Sequence, residues 1–240
     1  MQGWEPFPAL LIFYNMNVKQ IASAVLSHIY DGLKGAVANI AVSQEQLEDE
    51  VVAERNTIIK EYLIKGVANL QEVYSAINCV DVKCASMSKC CDPYLSTLGQ
   101  KALHFEIPPV LLLSGVSTIK FIGSIDQKEK YQVYTNNDYK YHQYKKRGAN
   151  KPYVYLDTTV NSNGMIDGYI FNAPLVQMIS VVAVFLDPRK LVEFNCCADE
   201  EIVTDCGIIS NDIVHRLTQK YAMWYRQNIL PSIPNTQSPL

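Results

Sequence analysis

The sequence predicts an α+β fold, in which N-terminal helices precede an antiparallel β block with hairpins and a C-terminal helix and extended tail follow it. Three observations support this prediction. Apolar residues recur at helical spacing near both ends of the chain, whereas the middle alternates in the manner of strands. The dipeptide Asn163-Gly164 between two such runs is a strong hairpin signal. The composition is that of a globular protein, since 48% of the 240 residues are hydrophobic and 19% are charged.

Helices are predicted within residues 17–66 and over 211–228. Asn17 and Ser43 are each followed by a glutamine three residues later, which is the spacing of a capping box at a helix start. Gly66 suits the position just after the second helix, because glycine adopts a positive φ without steric cost. Apolar residues at helical spacing in all three segments predict that one face of each helix is buried.

The β-rich part is expected over 70–191. It begins after the second helix, where the helical spacing of apolar residues gives way to patterns typical of strands. Asp126 is placed in a hairpin loop between two alternating runs, and the Asn163-Gly164 pair in a second hairpin. The expected strands are pieces within 73–84, then 118–122, 131–134, 153–159, 165–171 and the β-branched run 179–186.

One α+β domain is predicted over 17–230, between two extended ends. The arm, residues 1–16, contains prolines that break regular structure, and the tail, residues 231–240, contains prolines and no charged residue. Neither the arm nor the interior apolar runs predict a signal peptide or a membrane span, because they lack a basic start and sufficient length.

The cysteines predict no metal centre. There are seven, an odd number without a secretory leader, which favours reduced thiols over a disulfide framework. Their spacing contains no pair of Cys-x-x-Cys knuckles, so a zinc site is not predicted. His104 and His142 are candidate bases for a cysteine nucleophile, but no catalytic signature surrounds them. The cysteines are Cys79, Cys84, Cys90, Cys91, Cys196, Cys197 and Cys206.

Carboxylates and amides in the β block offer two further candidates. Asp157 and Asp167 could face each other across the predicted hairpin as a glycosidase pair would, but both flank turn-rich sequence, where local hydrogen bonding is expected. The sequence from Asn161 to Gly164 resembles a calcium loop but lacks the glutamate needed near its end. No catalytic, metal-binding or cofactor-binding residue is therefore predicted, and we expect no enzyme activity and no cofactor.

The tyrosine-rich stretch 131–171 is the most distinctive segment, with seven of the fifteen tyrosines before Tyr169 is counted. Tyrosine supplies rigid amphipathic contact area, and Tyr and Arg are common at the centres of protein interfaces. Interleaved basic residues in 139–151 would also suit a single nucleic-acid strand. The net charge of −3 favours the protein-interface interpretation. The predicted subunit-interface residues are Tyr139, Tyr141, Tyr144, Lys145, Lys146, Arg147, Tyr153 and Tyr155.

Four segments resemble a family of structural ring or head–tail adaptor proteins from the neck and tail of crAss-like bacteriophages. The resemblance covers most of residues 17–191 and rests on similarity over long segments of sequence rather than on a catalytic motif. The segments are QLEDEVVAERNTIIKEYLIKG (46–66), YHQYKKRGANKPYVYLDTT (141–159), NGMIDGYIFNAPL (163–175) and ISVVAVFLDPRKL (179–191).

The resemblance implies a non-enzymatic structural virion protein that forms a ring below the portal, connects head to tail and lines the DNA channel. The implied partners are further copies of the chain in a twelvefold ring, the portal and neighbouring neck and tail ring proteins. Phage DNA would pass through without sequence-specific binding, and no membrane is involved. The implied location is the virion, after assembly in the host cytoplasm. Two alternatives stay open: a soluble hydrolase-type enzyme using Asp157, Asp167 or a cysteine, and a nucleic-acid-binding accessory protein using 139–151.

Overall fold

Three helices and two β-sheets form the described part of the chain, so the predicted α+β class is confirmed. The computed structural model describes residues 16–32, 42–66, 73–84, 102–113, 118–135, 137–145, 147–148, 150–173, 176–194 and 207–228. They divide into two compact units, a helical one within Met1–Gly66 and Val203–Leu240 and a β unit within Val67–Ile202. One domain spanning 17–230 stays a prediction. Apart from Met16, the predicted arm and tail lie outside the described residues.

The helical unit consists of α1 (Val18–Gly32), α2 (Gln44–Lys65) and α3 (Gly207–Asn228), and each helix packs against the other two. The predicted third helix is confirmed, although it begins at Gly207 rather than at 211. Apolar side chains at helical spacing face the shared interior, as the sequence predicts. They include Ile21, Val25, Leu47, Val51, Ile58, Ile213 and Leu217.

Both predicted capping boxes are present. The Gln20 backbone N–H donates to the Asn17 side chain at 2.9 Å, and the Asn17 N–H donates back to Gln20 at 3.0 Å. Ser43 and Gln46 exchange the same two bonds at 3.2 and 3.3 Å. Gly66 ends α2 with φ of +66°, where its N–H donates to carbonyls of the last turn. These bonds satisfy terminal backbone groups that would otherwise have no partner in the helix.

Polar contacts join α2 to α3. The Arg216 guanidinium donates two bonds to Glu61, at 3.0 and 2.8 Å, and one to Glu54 at 3.2 Å. The bond from Arg216 is also the main reason that the pKa of the Glu61 carboxyl is lowered. Tyr62 donates its hydroxyl hydrogen to Asp212. Two-pronged guanidinium–carboxylate pairing fixes orientation as well as distance, so these contacts set the register between the two helices.

The β unit contains a three-stranded sheet of order β1-β8-β4 and a five-stranded sheet of order β2-β3-β7-β6-β5. All neighbours are antiparallel except β5 and β6, which are parallel. The strands are β1 (Ser75–Asp81), β2 (Lys83–Cys84), β3 (Leu103–Ile107), β4 (Ile119–Gly123), β5 (Gln132–Tyr134), β6 (Tyr153–Val160), β7 (Ile166–Phe171) and β8 (Met178–Ala183).

The two sheets share one hydrophobic core. Phe105 and Ile170 of the five-stranded sheet pack in the same buried cluster as Ile122 and Val181 of the three-stranded sheet. The Phe105 ring lies over Gly168, where an added Cβ would be 2.2 Å from the ring. The close approach of this ring therefore requires glycine on β7 at that position.

The predicted hairpin at Asn163-Gly164 is confirmed, because it joins β6 to β7 in antiparallel register. Gly164 has φ of +75°, and its N–H donates to the Asn161 carbonyl at 3.0 Å. Asp126 also lies in a turn, as predicted, where its carboxylate accepts a bond from Ser124. The sequence therefore predicted the positions of both turns correctly.

The pairing of the strands on either side of Asp126 was predicted wrongly. Residues 118–122 and 131–134 do not form a hairpin ladder, since β4 pairs with β8 and β5 pairs with β6. Next to the turn they are joined by a bridge between Gly123 and Lys130 and by a bond from the Tyr131 N–H to the Ile122 carbonyl at 2.8 Å. The β-branched strand β8 provides a buried partner for β4 on one side and β1 on the other, which a two-stranded hairpin would lack.

A crossover connection joins the parallel strands β5 and β6. Parallel neighbours cannot be linked by a tight turn, so the chain between them must travel back along the sheet. It does so through a 3₁₀ helix at Asn137–Tyr144, which lies within the tyrosine-rich stretch. A second 3₁₀ helix, Pro188–Phe194, follows β8.

Two further findings concern earlier expectations. Cys79 is disulfide-bonded, so the expectation of reduced thiols is wrong for this residue, whereas Cys84 is a free and exposed thiol. None of the helices in the described ranges combines the length and apolarity that a bilayer-spanning helix needs.

Candidate functional site

Aromatic side chains from the 3₁₀ helix, β6 and β7 stack in layers on the outer face of the five-stranded sheet. Tyr139 stacks on Tyr155 with ring centres 4.2 Å apart. Tyr153 lies between Phe171, at 4.8 Å, and His142, at 4.0 Å. Stacked aromatic pairs add stabilisation beyond the area that they bury, so this aromatic cluster holds the 3₁₀ helix on the sheet.

His142 connects the aromatic cluster to the following turn. Its Nε2 lies 3.0 Å from the Gly148 carbonyl oxygen, which can only accept, so Nε2 carries the hydrogen. Its Nδ1 lies 2.9 Å from the Tyr134 hydroxyl and accepts from it when the ring is neutral. Burial is the main cause that lowers the pKa of His142, and the nearby Lys145 ammonium also lowers it. Lys145 donates to the Tyr134 hydroxyl and, at 3.0 Å, to Gln132.

The opposite side of the 3₁₀ helix presents two exposed tyrosines, Tyr141 and Tyr144, which we call the exposed tyrosine pair. They are 67% and 73% exposed. Residues three apart eclipse one another in a 3₁₀ helix, so these two point the same way, while Tyr139 and His142 share the inner side. Lys145 and Arg147 are exposed beside the end of this helix. Among the interface candidates that the structure describes, these four have exposed side chains that another molecule can contact.

Two of the predicted interface residues are corrected by the structure. Tyr139 and Tyr153 are only 1% and 2% exposed, because both are enclosed in the aromatic cluster. They support the surface from within and do not form part of it. Tyr155 is partly exposed and stacked against Tyr139, and Lys146 lies outside the described residues.

A cluster of polar side chains lies on the same face of the five-stranded sheet as the aromatic cluster. We call it the histidine–carboxylate cluster. His104 and Glu106 alternate with core residues of β3, so both point away from the core. Glu106 is directly opposite Asp167 of β7 in the strand register. His104 Nε2 lies 2.8 Å from Asp167 Oδ1, and the three side chains are partly buried.

Asn161 holds the two carboxylates from the turn side. Its Nδ2 donates to Glu106 at 2.9 Å and to Asp167 at 3.2 Å. Its Oδ1 accepts from the backbone N–H groups of Asn163, at 2.9 Å, and Met165, at 3.1 Å. Because the amide oxygen is occupied by donors of the turn, the orientation of this side chain is fixed by its hydrogen bonds. The Asn161 side chain is therefore part of the turn that Asn163-Gly164 predicts.

The two aspartates considered as a glycosidase pair have different roles. Asp157 accepts from the Thr159 N–H at 3.0 Å and from its hydroxyl at 2.8 Å, so the prediction of local hydrogen bonding is confirmed for it. Asp167 also has a local bond, accepted from Asn161 of the turn at 3.2 Å, but it bonds His104 of a distant strand as well, which the prediction did not include. The alternation of His104 with Glu106 could have indicated a shared face, but their partner on β7 depends on long-range pairing.

No protein-family model and no curated protein matches the chain. The interpretation of its function therefore rests on the resemblance of the four segments and on the surfaces of the β unit.

Proposed function

We propose that the protein is a structural virion protein of a tailed bacteriophage, one that forms a ring in the neck or tail below the portal and joins head to tail. The resemblance of segments 46–66, 141–159, 163–175 and 179–191 to virion ring proteins supports this role. The observation that carries it within the structure is the exposed tyrosine pair. Two large aromatic side chains stand in solvent on a segment whose other side is anchored by a buried aromatic cluster.

A ring whose subunits associate head to tail needs two different faces on each subunit. The exposed tyrosine pair suits one of these faces, because tyrosine offers a large contact area while only two torsions are frozen on binding. The anchoring of Tyr139 and His142 on the inner side adds to this advantage. A surface segment that is already ordered loses less conformational entropy when a neighbouring subunit docks on it.

The nucleic-acid alternative uses the same stretch but fits the geometry less well. The Lys145 ammonium donates to Tyr134 and Gln132, so this cation is partly engaged inside the subunit. A strand-binding groove needs several free cations along the backbone in addition to aromatic platforms. The interface role makes no such demand, since an exposed pair of tyrosines beside Arg147 is sufficient for a contact of the hot-spot type.

The proposal is tested in phage particles. We expect quantitative mass spectrometry of gradient-purified particles to find this chain at a copy number that equals the portal protein's or is a small whole multiple of it. The double variant Tyr141→Ala/Tyr144→Ala should enter particles at least about tenfold less well, because each truncated hot-spot tyrosine costs about 2 kcal/mol of binding free energy. Its melting temperature should stay that of the wild type, since neither side chain is buried.

Ile64→Ala is the matched control. Ile64 is 72% exposed on α2, so this variant also removes an exposed apolar side chain but leaves the tyrosine pair intact. It should enter particles normally. Absence of the wild-type chain from particles, together with abundance in extracts of infected cells, would overturn the structural role. A binding constant for single-stranded DNA that falls steeply with salt would then favour the accessory-protein alternative.

A further inference from the structure

We propose that His104, Glu106 and Asp167 form a binding site for a divalent transition-metal ion, for which Zn²⁺ is the probe. The site lies on the outer face of the five-stranded sheet and is independent of the proposed role in a ring. Its three side chains offer one imidazole nitrogen and two carboxylate groups whose ligand atoms lie within 4.8 Å of one another.

The first argument is the placement of two like charges. Glu106 and Asp167 are directly opposite on neighbouring strands, and like charges in that position destabilise a sheet. Both are partly buried, so water screens their repulsion less than at a fully exposed site. No lysine or arginine within the described ranges forms an ion pair with either carboxylate. A divalent cation between them would turn this repulsion into attraction.

The second argument is the third ligand. His104 Nε2 already points at Asp167 Oδ1 from 2.8 Å, so the ring is oriented toward the space that the carboxylates border. Imidazole nitrogen together with carboxylate oxygen is a ligand set that Zn²⁺ accepts, with bonds of about 2.0–2.2 Å. Tetrahedral ligands on such an ion are roughly 3.4 Å apart, which small side-chain rotations reach from the present separations.

The third argument is the support around the ligands. Metal-binding side chains are usually held by a further ring of hydrogen bonds, and these bonds orient the ligand atoms. Asn161 fills this role, because its Nδ2 donates to both Glu106 and Asp167 while the turn fixes its Oδ1. It donates to the carboxylates and leaves their remaining lone pairs for the ion. The side chains of His104 and Asp167 are 28% and 24% exposed, so an ion and a bound water can reach them.

The test is calorimetric titration of the metal-free full-length chain with ZnCl₂, followed by thermal unfolding with and without the ion. We expect the wild-type chain to bind one equivalent of Zn²⁺ at this site. Glu106→Gln and His104→Gln should each abolish the binding of this equivalent. At a free Zn²⁺ concentration about a hundred times the dissociation constant, the wild-type melting temperature should rise by roughly 5–10 °C. Since Glu106→Gln removes the like-charge pair, it should melt above the wild type without metal and gain nothing from Zn²⁺.

Asp157→Asn is the matched control, because Asp157 lies on the neighbouring strand but bonds only locally to Thr159 in the structure. This variant should bind the same equivalent of Zn²⁺ as the wild type and show the same rise in melting temperature when Zn²⁺ is added. Zinc bound by thiols, including the exposed Cys84, appears equally in all variants and so does not count toward the difference. The proposal is overturned if wild type and both glutamine variants bind the same number of ions, or if their melting shifts are equal.

Discussion

Replacing Gly168 by alanine should destabilise the β unit through a clash with one ring. The new Cβ would lie 2.2 Å from Cζ of Phe105 and 2.5 Å from each Cε. Carbon atoms in favourable contact are about 3.5–4.0 Å apart, so the ring would have to retreat by more than an ångström. Phe105 is only 1% exposed and packs within the shared core, which leaves it little room. Overpacking of this kind costs about 1–3 kcal/mol, and we expect the upper end of that range.

Urea denaturation of Gly168→Ala, Phe105→Leu and the double variant measures this cost. The smaller leucine gives the new methyl group space, so the cost of Gly168→Ala should fall by at least about 1 kcal/mol in the Phe105→Leu background. Gly164→Ala is the control: its φ of +75° makes alanine unfavourable by about 1–2 kcal/mol for a reason unrelated to the ring. Its cost should be the same in both backgrounds. If the costs of Gly168→Ala and Phe105→Leu simply add to within about 0.5 kcal/mol, the steric explanation is refuted.

Three other predictions concern the buried histidine and the helical unit. The pKa of His142 is lowered in the folded state. Between that pKa and the unfolded value of about 6.5, the unfolded chain therefore binds more protons than the folded one. The free energy of unfolding should accordingly fall as the pH drops below about 6.5. His142→Gln should make the free energy of unfolding less dependent on pH in this window; a slope equal to that of the wild type would contradict the assignment. Ser43→Ala should cost about 1 kcal/mol in urea denaturation, whereas Ser43→Asp should restore the cap, and equal losses in both would argue against the capping box. Arg216→Lys should lower the melting temperature because lysine cannot make the paired bonds to Glu61, and the loss should shrink in high salt; a loss that is independent of salt would exclude an electrostatic cause.

Local signals in the sequence predicted the elements that depend on a few neighbouring residues. The capping boxes at Asn17 and Ser43 and the turn at Gly164 all form as expected, because each is satisfied by bonds within four residues. The helix period likewise indicated the buried faces of α1, α2 and α3. Such features are set by backbone geometry and need no knowledge of the rest of the chain.

Features that depend on distant partners could not be predicted in this way. The pairing of β4 with β8 is decided by which strand offers a buried surface, not by the turn at Asp126. The burial of Tyr139 follows from the 3₁₀ helix, in which residues three apart lie on the same side. This helix is only eight residues long, so its three-residue period could not be recognised in the sequence. The histidine–carboxylate cluster required the register of β3 against β7, which brings together His104 and Asp167.

The order in which the chain is synthesised sets a limit on when it can fold. Of the strands in the described ranges, β8 is the last to leave the ribosome, yet it is the central strand of its sheet, with β1 and β4 on either side. Until residues 178–183 emerge, those two earlier strands have no partner in this sheet, and unpaired strand edges promote association between chains. The first two helices must likewise wait for 207–228 to complete their unit. A chain that terminates before residue 178 should therefore yield an aggregating fragment rather than a smaller folded protein.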